Sequence, residues 1–197
     1  MSKATFALII GPTAVGKNTV LEEVLKRLPD AVHVLSTTCR PPRPGEVDGR
    51  DYHFLDCEEF QRRAAAGDFY EHAQYSKHWY GTSRSGLERT MAASPLAIKI
   101  VEIQGARQIK ALMPEALTIF IVPGDFEDLP RRWKLRASDK RSSFDADDLE
   151  RRLTTARGEI TAAGECDRVI TNWDGRLEDC INAVIAALTA RRPATRS

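Results

Sequence analysis

A glycine-bounded loop near the N-terminus has the residue types and spacing of a phosphate-binding site. Residues 11–18 read GPTAVGKN and follow the apolar residues 6–10, so that a short buried strand would lead through the loop into a helix. In such a loop the backbone N–H groups turn toward phosphate oxygens, and the positive end of the helix dipole adds to their effect. Lys17 would reach the terminal phosphates as a point charge. The loop therefore predicts the binding of a nucleoside triphosphate.

The residue after the loop lysine departs from the usual motif. Loops of this kind have Ser or Thr there as a ligand of magnesium, whereas this chain has Asn18. An amide oxygen is a neutral and less usual magnesium ligand, so we expect the metal contact to be weakened or mediated by water. Thr19 lies one residue later and would point elsewhere on the helix.

A second group of candidate phosphate ligands lies in a loop stiffened by prolines. Arg40 and Arg43 belong to residues 36–46, a segment that its prolines make unsuited to a helix or a central strand. Guanidinium groups bind phosphate with two parallel hydrogen bonds, and a stiff loop loses little conformational entropy on binding. On this pattern alone, a phosphate site and a solvated loop remain open as alternatives.

A basic segment lies further along the chain. Residues 131–141 contain six Lys and Arg residues, and Asp139 is their single acidic residue. Without further context, such a run is compatible both with a solvated surface and with a lid that closes over phosphates.

Strands and helices alternate along most of the chain, which predicts an α/β fold. Apolar runs at residues 96–101, 117–122 and 168–171 alternate with helical patterns, as in a parallel sheet with helices on both faces. Ligands of such sheets bind at the carboxyl ends of the strands, where the phosphate loop lies. We predict a core of residues 1–35 and 84–190 with a basic lid at about 131–148, a small α+β insertion at 36–83, and a polar tail at 191–197.

The composition argues against several classes of function. The 197 residues carry a formal net charge of +1, which gives no overall attraction for nucleic acid or an anionic membrane. No apolar run approaches the roughly 20 residues that span a bilayer, and the N-terminus does not resemble a signal peptide. The four cysteines show no C-x-x-C spacing, so we expect reduced thiols in a cytoplasmic protein.

Several further motifs resemble those of one known family. Residues 36–54 contain S-T-T-x-R-x-P-R-x-G-E, followed by D-G-x-D-Y-x-F. The likeness continues in GDFYE at 67–71, YGT at 80–82, QGAR at 104–107, and in Arg132, Arg136 and Arg152. Because these motifs run in order through nearly the whole chain, the sequence resembles the guanylate kinases.

The resemblance implies a P-loop core that binds ATP, an insertion that binds GMP, a basic lid, and magnesium as the cofactor. The implied ATP-binding residues are Gly11, Thr13, Ala14, Val15, Gly16, Lys17, Asn18 and Thr19. The implied GMP-binding residues are Ser36, Arg40, Arg43, Tyr52, Glu71, Tyr80, Thr82 and Glu102. The implied catalytic residues are Lys17, Arg43, Arg136 and Arg152. Candidates for contact with magnesium are Asn18 and Glu102.

Within the implied GMP set, Ser36, Glu71 and Thr82 would recognise the guanine, and the arginines and tyrosines would hold the phosphate. A carboxylate such as that of Glu71 can accept from both N1–H and the 2-amino group of guanine, a donor pair that adenine lacks. A site whose polar groups are left unpaired by the wrong base discriminates by about 10⁴–10⁵. Arg136 and Arg152 would close over the donor phosphates and neutralise charge during transfer.

Two further residues depart from the family pattern. Ala14 stands where the family often has glycine, which is tolerable unless the backbone there needs a positive φ. Glu102 stands where the family usually has aspartate, so its carboxylate is one methylene further out.

The sequence therefore leaves three functions open. The first is an ATP-dependent kinase of GMP, which the signature at residues 36–54 and Glu71 favour. The second is a weak or inactive GMP-binding module, which Asn18 and Ala14 favour. The third is a kinase of the same fold with another acceptor, such as ribose 1,5-bisphosphate. In each case we expect a monomer or a homodimer whose partners are small nucleotides or sugar phosphates.

Overall fold

The structure, a computed structural model, describes residues 4–75, 77–136 and 146–191. The strands in these ranges are β1 (Thr5–Ile10), β2 (Ala31–His33), β3 (Thr37–Thr38), β4 (His53–Phe54), β5 (Phe69–Tyr75), β6 (His78–Ser83), β7 (Leu96–Ile100), β8 (Leu117–Pro123) and β9 (Arg168–Asn172). The α-helices are α1 (Lys17–Arg27), α2 (Cys57–Ala65), α3 (Arg84–Ala93), α4 (Ile103–Leu112), α5 (Asp128–Arg136), α6 (Ala146–Thr161) and α7 (Leu177–Ala190).

The central sheet is parallel, as the alternation of strands and helices predicts. Its five strands lie in the order β2-β7-β1-β8-β9, and Ala7 in the middle strand is opposite Ile98 on one side and Leu117 on the other. Strands of a parallel sheet are covered on both faces, and residues 6–10 of β1 are accordingly all buried. The carboxyl end of β1 leads directly into the phosphate loop.

Helices cover both faces of this sheet, which confirms the predicted fold class. On one face, Val20 and Val24 of α1 and Val184 and Leu188 of α7 pack into one apolar cluster. On the other face, Leu87 of α3 and Ile109 of α4 belong to a second apolar cluster. None of the helices in the described part of the chain is long and apolar enough to cross a membrane.

A second, four-stranded sheet is formed by residues 37–83 in the order β4-β3-β6-β5. Thr37 pairs with His53 in parallel and with Gly81 in antiparallel register, so β3 is an inner strand. The prediction that residues 36–46 contain no central strand is wrong for its first residues, because the prolines begin only at Pro41, beyond the paired threonines. α2 is anchored to this sheet by Phe60, whose ring lies 4.6 Å from that of Phe69.

The prediction that all four cysteines are reduced is also wrong. Cys39 and Cys57 form a disulfide, with their Cα atoms 4.9 Å apart, whereas Cys166 and Cys180 are free thiols. The sequence gives no spacing signal because the two cysteines are 18 residues apart. The pairing of β3 with β4 brings them together: Cys39 follows β3, and Cys57 begins α2 three residues after β4.

The helix that contains much of the basic segment begins just before Pro130. Gly124 and Asp125 predict a helix start, but Pro130 is awkward in that helix unless it starts only just before the proline, and α5 begins at Asp128. Pro130 therefore lies in its first turn, where a missing N–H removes no helical hydrogen bond. Of the predicted lid, residues 137–145 lie outside the described residues, as do residues 192–197 of the predicted tail.

Candidate active site

The phosphate loop has the curled backbone that anion binding requires. Residues 11–16 connect β1 to α1, and Gly16 has a φ of 104°. A Cβ atom on Gly16 would lie 2.8 Å from Nδ2 of Asn172, so glycine is needed there for both conformation and space. Lys17 donates hydrogen bonds to the carbonyls of Gly11, at 2.5 Å, and Pro12, at 2.9 Å. The lysine ammonium is thereby held over the loop, and Thr13 is exposed.

The backbone at Ala14 has a positive φ, a conformation that is less favourable for alanine than for glycine. Its φ is 67°, and it is the only residue other than glycine with a positive φ in the described ranges. An L-residue with a Cβ atom loses about 1–2 kcal/mol in this conformation. The loop of this chain is therefore strained at Ala14, where the resemblance to the family often implies glycine.

Two residues hold the loop from outside: Asn172, which the sequence did not single out, and Arg132 of the basic segment. Nδ2 of the buried Asn172 donates to the carbonyl of Val15 at 2.8 Å, and Nη1 of Arg132 donates to the same carbonyl at 3.2 Å. Beside them lies a cavity of about 300 Å³ that the loop shares with Trp173. Asn172 carries no motif signal, but it ends an apolar strand at the ligand-binding edge of the sheet.

Asn18 and Thr19 lie in the first turn of α1, and both side chains are exposed. Glu102 is the residue before α4 and is exposed as well. Glu159 in α6 faces Glu102 and Lys17; burial, and next the negative charge of Glu102, raise the pKa of Glu159 to about 7. Sequence reasoning did not identify Glu159 as part of the site.

A cavity of about 380 Å³ joins the phosphate loop to the second sheet. It brings together residues from both predicted nucleotide sites, because Lys17 and Glu71 both line it. The predicted site residues on its wall are Lys17, Ser36, Tyr52, Glu71, Tyr80 and Glu102.

Glu71 is a buried carboxylate with one oxygen bound and one facing open space. Thr82 donates from its hydroxyl to Oε1 of Glu71 at 2.5 Å, and both residues are buried. Gly105 leaves room beside the other oxygen, because a Cβ atom there would lie 3.1 Å from Oε2 of Glu71. The carboxylate is therefore oriented by Thr82 and exposed to the cavity by the absence of a side chain at residue 105.

Lys99 is a wall residue that sequence reasoning missed. It is 1% exposed, lies in β7 and donates to the hydroxyl of Ser36 at 2.8 Å. Burial lowers the pKa of Lys99 to about 8, and the charge of Glu71 opposes this shift. Burial, and then the charge of Lys99, lower the pKa of His33 to about 4. A lysine inside an otherwise apolar strand is the sequence signal that could have identified it.

The two arginines of the proline-rich loop are arranged differently from each other. Arg40 is buried and bound by both carboxylate oxygens of Glu46 at 2.9 Å, while Arg43 is exposed. Hydrogen bonds from Arg40 and from the backbone N–H of Arg43 lower the pKa of Glu46. The guanidinium of Arg40 also lies 5.3 Å from the ring of Tyr52, whose ring is 6.2 Å from that of Tyr80. In the described structure, neither arginine lines the cavity.

The predicted lid arginines lie on α5 and α6. The guanidinium of Arg152 stacks 4.2 Å from the ring of Trp133, which ties the two helices together. Arg136 is the last residue of α5, and its side chain lies outside what the structure describes.

Comparison with known proteins accounts for this arrangement. The guanylate kinase family model matches residues 3–191. The chain belongs to the guanylate kinase family. A guanylate kinase of Frankia casuarinae is 43% identical over 169 residues, covering 86% of this chain and 89% of that protein. A guanylate kinase of Nostoc sp. is 39% identical over 181 residues, covering 92% of this chain and 87% of that protein.

A solved structure has the same fold. The crystal structure of guanylate kinase from Anaplasma phagocytophilum superposes with a TM-score of 0.74 at 28% identity, covering 98% of this chain and 89% of that one. Membership of the guanylate kinase family confirms the resemblance in the sequence motifs and makes the chain a nucleotide-binding phosphotransferase.

Proposed function

We propose that this member of the guanylate kinase family transfers the γ-phosphate of ATP to GMP, giving ADP and GDP. The observation that carries the proposal is that one cavity is lined both by Lys17 and by the buried carboxylate of Glu71. Lys17 and the loop suit a phosphate chain, and Glu71 suits a base that offers two neighbouring N–H donors. Guanine has that donor pair.

The acceptor would bind with its base at Glu71 and its phosphate toward the loop lysine. Thr82 holds one oxygen of Glu71 at 2.5 Å, so the carboxylate is oriented before the base arrives. Tyr52 and Tyr80 line the same cavity and offer hydroxyl groups to the phosphate. Arg40 is paired with Glu46, so its role in this proposal is to support the ring of Tyr52 from outside the cavity.

The donor triphosphate would lie on the backbone N–H groups of the loop, with Lys17 neutralising its terminal phosphates. The base of ATP would occupy the second cavity, where the exposed ring of Trp173 provides a flat apolar surface beside Thr19. Arg136 of α5 and Arg152 of α6 would approach as the phosphoryl group is transferred. Transfer is in line between two positioned phosphates, without a covalent enzyme intermediate.

Magnesium would arrive with ATP and be bound mainly by phosphate oxygens and water. Within residues 4–75, 77–136 and 146–191, no group of three or more His, Cys, Asp and Glu side chains is arranged to hold a metal ion. Glu102 and Glu159 nevertheless fit a cation, because their mutual repulsion beside Lys17 is relieved by added positive charge. The ion would neutralise charge on the transferring group. Asn18 remains a candidate for an indirect contact.

The alternatives differ in what they require of Glu71. A sugar bisphosphate has no N–H pair for a buried carboxylate and would be repelled by its charge, so this acceptor is disfavoured. A weak or inactive GMP-binding module is favoured by the strained Ala14 and by Asn18. We expect the enzyme to act in the cytoplasm on free nucleotides, as a monomer or a homodimer.

One assay separates these functions. The protein is incubated with ATP and Mg²⁺ together with GMP, AMP or ribose 1,5-bisphosphate, and release of ADP is measured. Turnover with GMP is expected, and Glu71→Gln should lower kcat/KM for GMP by at least about 100-fold while leaving ATP binding unchanged. No turnover with any acceptor, together with GMP binding by calorimetry, would show that the protein is a binding module.

A further inference from the structure

Lys99 is a buried cation at the wall of the acceptor cavity. Lys99 is 1% exposed, yet it lines the cavity of about 380 Å³ that Glu71 and Ser36 also line. This is the cavity in which we propose that the acceptor binds. Burying an ionised ammonium costs several kcal/mol unless hydrogen bonds or an opposite charge compensate. A lysine at this position therefore needs a compensating group, and an apolar residue would fill the strand at lower cost.

The compensation among protein groups is incomplete. Ser36 Oγ, at 2.8 Å, is the single hydrogen-bond acceptor of Nζ of Lys99 among the described residues. An ammonium group has three N–H donors, so two remain for other acceptors. Glu71 attracts Lys99 electrostatically without a hydrogen bond between them in the described structure. Lys99 lines an open cavity, so we expect a ligand bound there to meet the unused donors.

Lys99 is charged at the pH of the cell. Burial lowers its pKa to about 8, so most molecules keep the proton at neutral pH. The nearby His33 has a pKa lowered to about 4 and is neutral there, so the ring adds no competing positive charge. The wall thus presents an acceptor-only carboxylate at Glu71 and a donor-only ammonium at Lys99.

We propose that Lys99 is a specificity-determining residue that donates a hydrogen bond to the 6-carbonyl oxygen of the purine acceptor. The edge of guanine offers two N–H donors followed by this carbonyl acceptor, which matches Glu71 followed by Lys99. Adenine offers an acceptor at N1 and an amino donor at position 6, so that Lys99 would face another donor. Lys99 therefore contributes to the rejection of adenine, in addition to Glu71. The inference rests on the proposed function, because it takes a purine monophosphate as the ligand.

The test compares the binding of three purine monophosphates, of which two carry the 6-oxygen and one does not. GMP and IMP both carry the 6-oxygen and a hydrogen on N1, and IMP lacks the 2-amino group. 2-aminopurine riboside monophosphate has the 2-amino group but carries hydrogen at position 6 and none on N1, so it is compared only with itself between the two proteins. Affinities of all three are measured by calorimetry for the wild-type protein and for Lys99→Met, whose side chain is of similar length and uncharged. The ratio between ligands within one protein is independent of the fraction of folded protein.

Lys99→Met should weaken GMP and IMP by a common factor of about 10 to 100, the range for losing a hydrogen bond to a charged group. Binding of 2-aminopurine riboside monophosphate should change by less than about threefold, because it has no 6-oxygen to accept from Lys99. Lys99→Gln, which keeps a neutral donor, should fall between the two proteins. This variant provides the same comparison if the methionine variant does not fold.

Three other results would count against the proposal. An equal loss for GMP and 2-aminopurine riboside monophosphate would mean that Lys99 acts by orienting Glu71. Unchanged affinity for all three ligands would exclude any role in recognition. If the wild-type protein binds none of them, both this inference and the proposed function are wrong. Wild-type binding of GMP without ADP release would overturn the proposed kinase activity alone, and the ligand comparison would still decide the role of Lys99.

Discussion

The backbone carbonyl of Val15, in the phosphate loop, accepts a 2.8 Å hydrogen bond from Nδ2 of Asn172, a residue 157 positions further along the chain. Asn172 is the last residue of β9 and is buried. Arg132 of α5 donates to the same carbonyl. The loop is therefore held in shape by β9, at the edge of the central sheet, and by α5, which contains much of the basic segment.

Removing this hydrogen bond should weaken the donor site selectively. Asn172→Ala leaves the Val15 carbonyl with the longer bond to Arg132 alone, so we expect KM for ATP to rise about 5- to 10-fold. KM for GMP should stay within about twofold, because Asn172 does not line the acceptor cavity. Steady-state kinetics measure both values. Asn182→Ala, at an exposed position of α7, is the matched control, and an equal rise in both KM values would contradict the assignment.

Replacing the strained alanine of the loop should stabilise the protein. Ala14 has a φ of 67°, which glycine adopts without cost, so Ala14→Gly should raise the free energy of unfolding by about 0.5–1 kcal/mol. Denaturant melts at matched protein concentration measure this change. Ala183→Gly, at an exposed site in the middle of α7, should instead lower it by about 1 kcal/mol. A loss of stability in Ala14→Gly would show that the positive φ is not a source of strain.

A methyl group at residue 105 should disturb the part of the cavity where we propose that the purine binds. The Cβ atom of Gly105→Ala would lie 2.6 Å from Cγ2 of Val101 and 3.1 Å from Oε2 of Glu71. Because one of these atoms must move, we expect KM for GMP to rise by at least about tenfold with little change in ATP affinity. Gly158→Ala in α6 meets no atom within 4 Å and should be neutral or stabilising. Wild-type kinetics in Gly105→Ala would argue against the role of Glu71.

The magnesium contact can be tested at Asn18. Asn18→Ser introduces a hydroxyl group in the first turn of α1, where the phosphate-loop motif places its metal ligand. We expect a higher kcat or a lower half-saturating concentration of Mg²⁺, measured by titrating the metal at saturating ATP and GMP. Thr19→Ser, at the next exposed position, serves as the control. Identical metal titrations for wild type and Asn18→Ser would show that residue 18 does not contact the metal shell.

The raised pKa of Glu159 predicts a pH-dependent difference in stability. Its folded-state pKa, about 7, is above the ordinary value of 4.5, so the folded protein holds the additional proton between these two values. The stabilisation from protonated Glu159 is therefore complete below pH 4.5 and is lost as the pH rises through 7. The free energy of unfolding of Glu159→Gln, relative to that of the wild type, should therefore increase by about 1–2 kcal/mol from pH 4.5 to pH 8. This figure allows for solvent screening of a partly exposed group.

Thermal or denaturant melts of the two proteins across this range provide the test. Other groups that titrate there, such as His33, are present in both proteins and cancel in the difference. Glu150→Gln, at an exposed position of the same helix, is the control. A difference that does not change with pH would contradict the raised pKa.

The predictions that the sequence supported best depend on neighbours along the chain. Asp56 and Glu59 have the spacing of a capping box, which predicts the start of a helix, and Asp56 accepts a hydrogen bond from the backbone N–H of Glu59 at the start of α2. The local residue pattern also predicts a helix near residues 84–93 and a strand at 69–75, and α3 and β5 have these bounds. The disulfide between Cys39 and Cys57 was missed because it depends on how β3 pairs with β4.

The sequence by itself determined the phosphate loop, the alternation of strands and helices, and the motifs of the guanylate kinase family. Each of these depends on the types and spacing of residues that lie close together along the chain. The tertiary structure decided that Lys99 reaches Ser36, that Gly105 exposes Glu71 and that Asn172 holds Val15. Such contacts depend on which strands are neighbours and in which register, and no local period encodes that choice. Side chains tens of residues apart therefore meet at one edge of the sheet only once the whole core has packed.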